Sequence, residues 1–254
     1  MAKIVVFDSG LGSLSIIKEI QKISKAEIIY FGDQKNFPYG KKSKFELGKI
    51  IKKSIKMIKD NFSPDLIVIG SNTPTIILDM EDENIIGVKP PLNEAVRISK
   101  TKNIGILGTK SAIDSKELSK FIKNLNLNSE IKIHKINGSS LVELVESGKF
   151  LTNKSFCKKI IKKNLENVLI NKNIDVITLS STHLPFLKFM LETQFPNITF
   201  IDPANSIAKK IQKKIKNNQE KQNRLKIYSS GDVKKFQKNL IRLGIKNKVN
   251  FLSI

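Results

Sequence analysis

The sequence predicts an α/β protein built from parallel sheets covered on both faces. Short β-branched runs alternate with helical patterns along all 254 residues. The runs are apolar without polar alternation, as in strands buried on both sides. Between them lie stretches with apolar residues at i, i+3, i+4 spacing, the order that links parallel strands through helical crossovers.

In chain order the predicted strands are Ile4–Phe7, Glu27–Phe31, Leu66–Ile69, Asn84–Val88, Ile104–Leu107, Ile174–Leu179, Ile198–Ile201 and Leu225–Tyr228. Three amphipathic stretches stand out among the helices. One carries Leu47, Ile50, Ile51, Ile55 and Ile58; another Leu118, Phe121, Ile122 and Leu125; a third Cys157, Ile160, Ile161, Leu165 and Val168. Residues 216–224 are polar and aperiodic and read as a loop before the last predicted strand. Composition marks no domain boundary.

A short internal repeat suggests two similar halves. Asp65 opens an apolar strand that leads to Ser71-Asn72-Thr73-Pro74, and Asp175 opens one that leads to Ser181-Thr182-His183-Leu184-Pro185. Lys3–Asp8 and Asn103–Gly108 match as the opening strands of the two halves. Each half then presents a hydroxyl at the carboxyl end of a strand, where open α/β sheets bind ligands.

The 45 basic residues against 23 acidic give a net charge of +22. Only Arg97, Arg224 and Arg242 are arginines, there is no tryptophan, and the lysines are spread along the chain. Base readout and phosphate forks favour arginine, and base stacking needs aromatics. A solvated lysine surface therefore outranks a nucleic-acid footprint, although the field can steer an anionic small substrate. One cysteine, Cys157, leaves no disulfide framework, and with two histidines no Cys- or His-rich metal site is expected. The opening residues reach Asp8 after a short apolar run, so no signal-peptide core is expected, and no apolar run reaches membrane-spanning length. The expectation is a cytoplasmic protein.

Asp8-Ser9-Gly10 reads either as a capped strand-to-helix turn or as a carboxylate and hydroxyl facing a ligand. Gly10-Leu11-Gly12 lacks the third glycine of the dinucleotide fingerprint. Pro38-Tyr39-Gly40 reads as a turn, or as a phenol walling a polar pocket. Ser71-Asn72-Thr73 and Ser181-Thr182-His183 are the chemically dense spots, with short polar side chains and backbone N–H groups free to receive an anion. His183 is the better placed histidine; His134, in a lysine-bearing strand, is expected to be exposed. No Gly-x-Ser-x-Gly elbow supports a serine hydrolase. Cys157, on the apolar side of its helix, reads as packing.

Taken together, Phe7-Asp8-Ser9-Gly10, Phe31-Gly32-Asp33, Pro38-Tyr39-Gly40, Ser71-Asn72-Thr73, Ser181-Thr182-His183-x-Pro185 and Tyr228-Ser-Ser-Gly231-Asp232 with Phe236 resemble glutamate racemases in kind and order. The resemblance implies two α/β domains facing each other across a cleft, the first of residues 1–97 plus 208–254 and the second of 98–207. It implies no cofactor and no metal, glutamate as the small-molecule partner, and D-glutamate for peptidoglycan and cell-wall biogenesis. No nucleic-acid or membrane partner is expected, and a homodimer is compatible with it. By position, Asp8, Ser9, Tyr39, Gly40, Asn72, Thr73, Thr182 and His183 would surround the substrate. Glu146 resembles an acidic residue held near the second catalytic group.

One departure is chemical. Ser71 and Ser181 stand where the family carries its two catalytic cysteines; lesser departures are Ser13 for glycine, Leu184 for an aromatic and Ala112 for threonine. Racemisation needs one group to take the Cα proton and another, on the opposite face, to return one. A thiol starts near ~8.5, a serine hydroxyl several units higher, and each unit is worth about 1.4 kcal/mol. Serine therefore needs activation, from Asp8 for Ser71 and from His183 or Glu146 for Ser181. Two readings follow, a serine-assisted racemase and a catalytically silent homologue that binds an amino acid.

Overall fold

The computed structural model describes residues 2–215 and 222–254, so most of the expected loop at 216–224 lies outside the described residues. Among the described residues ten strands form: β1 (Lys3–Asp8), β2 (Glu27–Gly32), β3 (Leu66–Ile69), β4 (Ile85–Gly87), β5 (Asn103–Gly108), β6 (Lys132–Asn137), β7 (Val176–Ser180), β8 (Thr199–Ile201), β9 (Arg224–Ser229) and β10 (Val249–Phe251). They make two sheets, β10-β9-β2-β1-β3-β4 and β6-β5-β7-β8, in which every pairing is parallel.

The chain divides into two compact units, residues 1–88 with 204–254 and residues 89–203. The crossings fall after Val88 and before Ala204, where the sequence expectation lay near Arg97 and Ala208. The helix Leu92–Ile98 packs on β7 and so belongs to the second unit.

The first unit grows from its central strands. β1 and β3 are buried along nearly their whole length, as strands covered on both faces must be. The helix Lys44–Phe62 starts at a capping box, with the Ser43 hydroxyl accepting the Glu46 N–H and the Glu46 carboxylate accepting the Ser43 N–H. It buries Leu47, Ile51, Ile55 and Ile58 against Val5, Phe7, Ile29, Phe31, Ile67 and Ile69, each side chain contributing about 1.5–3 kcal/mol. The helix Leu14–Ile23 packs against the returning helix Ala204–Lys214.

The second unit repeats four of these strands in the same relation. β6-β5-β7-β8 has the order and direction of β2-β1-β3-β4, so β1 corresponds to β5 and β3 to β7. The two repeat-opening aspartates act alike. The Asp65 carboxylate accepts the backbone N–H of Lys3 at 2.7 Å, tying the start of β3 to the start of β1. Asp175 ties β7 to the segment entering β5, accepting from Ser99 Oγ (2.7 Å), Lys100 N (2.6 Å), Thr101 N (3.0 Å) and Thr101 Oγ1 (2.9 Å). Burial works to raise the Asp175 carboxyl, but the bonds from Ser99, Thr101 and Lys100 outweigh it and hold it below its ordinary value.

Two expectations are corrected. β7 begins at Val176 rather than Ile174, because Asn173 turns left-handed (φ 48°) and the Asp175 side chain is committed to the 99–101 turn. β10 was not anticipated, since Val249-Asn250-Phe251 offers only two apolar residues beyond a lysine-rich stretch.

Candidate active site

Parallel strands deliver their carboxyl ends to one edge of a sheet, and the predicted site residues of each unit gather at those ends. In the first unit β1 ends on Asp8, which is 1% exposed and whose Oδ1 accepts the Ser9 N–H at 2.7 Å. The capped-turn alternative does not apply to Asp8 and Ser9, because the following helix begins only at Leu14 with Ser13 as its N-cap. Ser9 is buried, and its carbonyl accepts from the Gln34 side chain at 2.7 Å.

The turn after β2 carries a second buried carboxylate. Asp33 accepts from Tyr39 Oη, Ser230 Oγ and Asn36 Nδ2, all at 2.9 Å, while its backbone N–H donates to the Asp8 carbonyl at 2.7 Å. Tyr39 opens the one-turn helix Tyr39–Lys41, which also contains Gly40. Burial first, then the carboxylates of Asp33 and Asp8, push the Tyr39 hydroxyl well above the ordinary phenol value. Tyr39 is therefore a neutral donor committed to Asp33. The segment after β9 supports this turn: Ser230 holds Asp33, and Phe236 packs where a Cβ on Gly32 would stand 2.8 Å from its ring.

Ser71 follows β3 and Gly70, at the N-cap of the helix Asn72–Leu78. An N-cap serine ordinarily accepts an N–H from the second or third helical residue. The third residue is Pro74, which has no N–H, and the Ser71 hydroxyl makes no capping bond. It is left uncommitted to the helix. Asn72 donates from Nδ2 to the Val88 carbonyl at 3.0 Å, and its buried Oδ1 has no partner among the described residues. Thr73 is buried beside it. A buried acceptor without a donor costs about 1–3 kcal/mol, a cost that a donor on a bound ligand would remove.

In the second unit β7 ends at Ser180, and Ser181, Thr182 and His183 follow, all buried. The one-turn helix Leu184–Leu187 then begins, with a proline in its first turn. His183 Nε2 is hydrogen-bonded to Oε1 of Glu146, the last residue of the helix Ser139–Glu146. The carboxylate holds the ring in one orientation, as an acid–base histidine requires. Ala112, at the turn after β5, is buried and offers no hydroxyl.

The two residues set aside by the sequence behave differently. Cys157 is fully buried in the helix Lys154–Asn171, and burial pushes its thiol up, as expected of a packing residue. His134 is corrected. It is half-buried on β6 rather than exposed, because its ring bonds Asn103 Oδ1 across the β5–β6 pair at 2.9 Å. Burial, then Lys172 and Lys132, lower its pKa.

Sequence reasoning missed Ser13, Thr75 and Asn36 as supports of these turns. Ser230 carried a signal inside the Tyr228–Asp232 motif, and Ser13 stood out only as a departure from the family's glycine. Among the described residues no three His, Cys, Asp or Glu side chains cluster as a metal site would need, and no helix is long and apolar enough to cross a membrane.

No protein-family model matches the chain. Curated relatives do. A glutamate racemase of Sulfurihydrogenibium sp. is 32% identical over 240 residues, spanning 92% of this chain and 90% of its own length. The chain belongs to the glutamate racemase family. A glutamate racemase of Buchnera aphidicola is 35% identical over 227 residues, covering 84% of this chain and 87% of its own. In fold, the crystal structure of a glutamate racemase isoform from Bacillus anthracis superposes with a TM-score of 0.88 at 24% identity, over 100% of this chain and 98% of that one.

Proposed function

We propose that the protein is an amino-acid racemase that interconverts L- and D-glutamate without a cofactor, supplying D-glutamate for peptidoglycan in the cytoplasm. The observation that carries the reading is the pair of serine turns. Ser71 follows β3 and Ser181 follows β7, corresponding strands of a repeated parallel sheet, within a chain of the glutamate racemase family.

The chemistry needs two groups of opposite protonation state. One serine, its proton passed to a neighbouring acceptor, removes the Cα proton and leaves the electron pair on a planar carbanion. The other returns a proton to the opposite face, and the two serines end the turnover with their states exchanged. Asp8 serves Ser71, and the His183–Glu146 pair serves Ser181 as acceptor and later donor. Asn72, through an Oδ1 without a partner among the described residues, and Ser9, Tyr39, Gly40, Thr73 and Thr182 hold the substrate. The positive field of the chain draws in the anionic amino acid.

Incubation with L-glutamate in deuterated water tests this reading. Deuterium at Cα with appearance of the D form is the expected result. Glutamate binding by calorimetry with no exchange at high protein concentration would instead support the silent amino-acid-binding homologue. The double variant Ser71→Cys plus Ser181→Cys should turn over about a hundredfold faster, because thiols ionise nearer neutral pH. A folded double variant with an unchanged rate would contradict the assignment of the two serines.

A further inference from the structure

We propose that Ser13 is a positioning residue for Ser71, acting through the Gly70 peptide; this rests on the racemase reading of Ser71. Ser13 is fully buried and stands at the N-cap of the helix Leu14–Ile23, yet its hydroxyl caps nothing there. It donates instead to the Gly70 carbonyl at 2.8 Å, a residue 57 positions away.

The Gly70 carbonyl and the Ser71 N–H belong to one rigid peptide plane, so fixing the oxygen fixes how the chain enters Ser71. The other end of Gly70 is held as well, its N–H donating to the Phe7 carbonyl at 2.8 Å. On the far side of Ser71, Thr75 Oγ1 donates to the Ser71 carbonyl at 2.8 Å and accepts the Val88 N–H at 3.2 Å. Both carbonyls that flank the Ser71 Cα therefore accept a buried hydroxyl. The Thr75 bond is the ordinary helical back-bond. The Ser13 bond has no such local reason.

Ser13 and Gly70 also share one volume. A Cβ on residue 70 would lie 2.0 Å from Ser13 Oγ and 2.8 Å from Ser13 Cβ, with the Phe7 carbonyl next at 3.2 Å. Only glycine fits at 70 while serine occupies 13. The result is a backbone clamped around a side chain that makes no cap bond. A proton-transfer group needs this arrangement, since a misplacement of about 1 Å can cost about a hundredfold in rate.

Two variants separate positioning from packing. Ser13→Ala removes the donor, and the pair Ser13→Gly plus Gly70→Ala refills the shared space without it. Both should fold and melt within a few degrees of wild type. Amide hydrogen exchange across residues 66–76 should be about tenfold faster in each. Cα deuterium wash-in should fall about tenfold in kcat, with KM unchanged, for the enantiomer whose proton Ser71 removes, and much less for the other. Unchanged amide exchange and wash-in in Ser13→Ala would overturn the proposal, as would an equal loss for both enantiomers. A wild-type protein that shows no wash-in at all would instead reject the racemase reading, which keeps the two failures distinct.

Discussion

The turn after β3 and the turn after β7 occupy corresponding places in a repeated sheet, but their surroundings differ in chemistry. In the first unit the turns after β1 and β2 carry two buried carboxylates, Asp8 and Asp33, and a neutral phenol, Tyr39. Around Ser181 the second unit supplies an imidazole paired with a carboxylate, His183 and Glu146. The repeat sets where a hydroxyl appears; within it the acid–base groups have no like counterpart, Gly108 corresponding to Asp8 and Thr73 to His183. In the proposed reaction each serine exchanges its proton with its own neighbour, Asp8 for Ser71 and His183 for Ser181.

The largest expected effect lies in the second unit. His183→Asn should lower racemisation about a hundredfold, and Glu146→Gln about tenfold, while Cα exchange of the enantiomer served by Ser71 survives. Loss of both enantiomers' exchange to the same degree, measured by mass spectrometry in deuterated water, would erase the distinction between the turns.

The two aspartates that open β3 and β7 sharpen the comparison structurally. Asp175→Ala removes an acceptor of four hydrogen bonds and should cost about 2–3 kcal/mol in urea unfolding, whereas Asp65→Ala removes one exposed bond and should cost about 1 kcal/mol or less. The Asp175 carboxyl is depressed in the folded state, so its contribution is present above the ordinary value near ~3.9 and is lost as pH falls through the depressed one. Asp175→Asn should flatten the stability profile in that acid window.

An effect as small as that of Asp65 belongs to Tyr39. Its hydroxyl is raised, so its contribution is present below about pH 10 and is lost as pH rises through the folded-state value. Tyr39→Phe should cost about 1 kcal/mol near neutral pH, with Asp33 keeping Ser230 and Asn36 as donors. Wild type and Tyr39→Phe should show equal phenolate absorbance at 295 nm past pH 10 until unfolding begins.

Much of the fold is legible in the chain because β1, β3 and β7 are mostly apolar runs without polar alternation, as burial on both faces demands. The repeat is legible for the same reason, through Asp65 with Ser71 and Asp175 with Ser181. What escapes is tertiary. Ser230 reaches Asp33 across 197 positions and Ser13 reaches Gly70 across 57, and no local pattern marks a serine that will find a distant partner. His134 escaped too, since its bond to Asn103 depends on the pairing of β6 with β5.

The most direct measurement is enantiomer-resolved Cα deuterium exchange in the single variants Ser71→Ala and Ser181→Ala. Each should abolish racemisation, yet each should keep exchanging one glutamate enantiomer, and the two should keep opposite ones. Undiminished racemisation in either variant, or retention of the same enantiomer by both, would contradict proton transfer shared between the two serines.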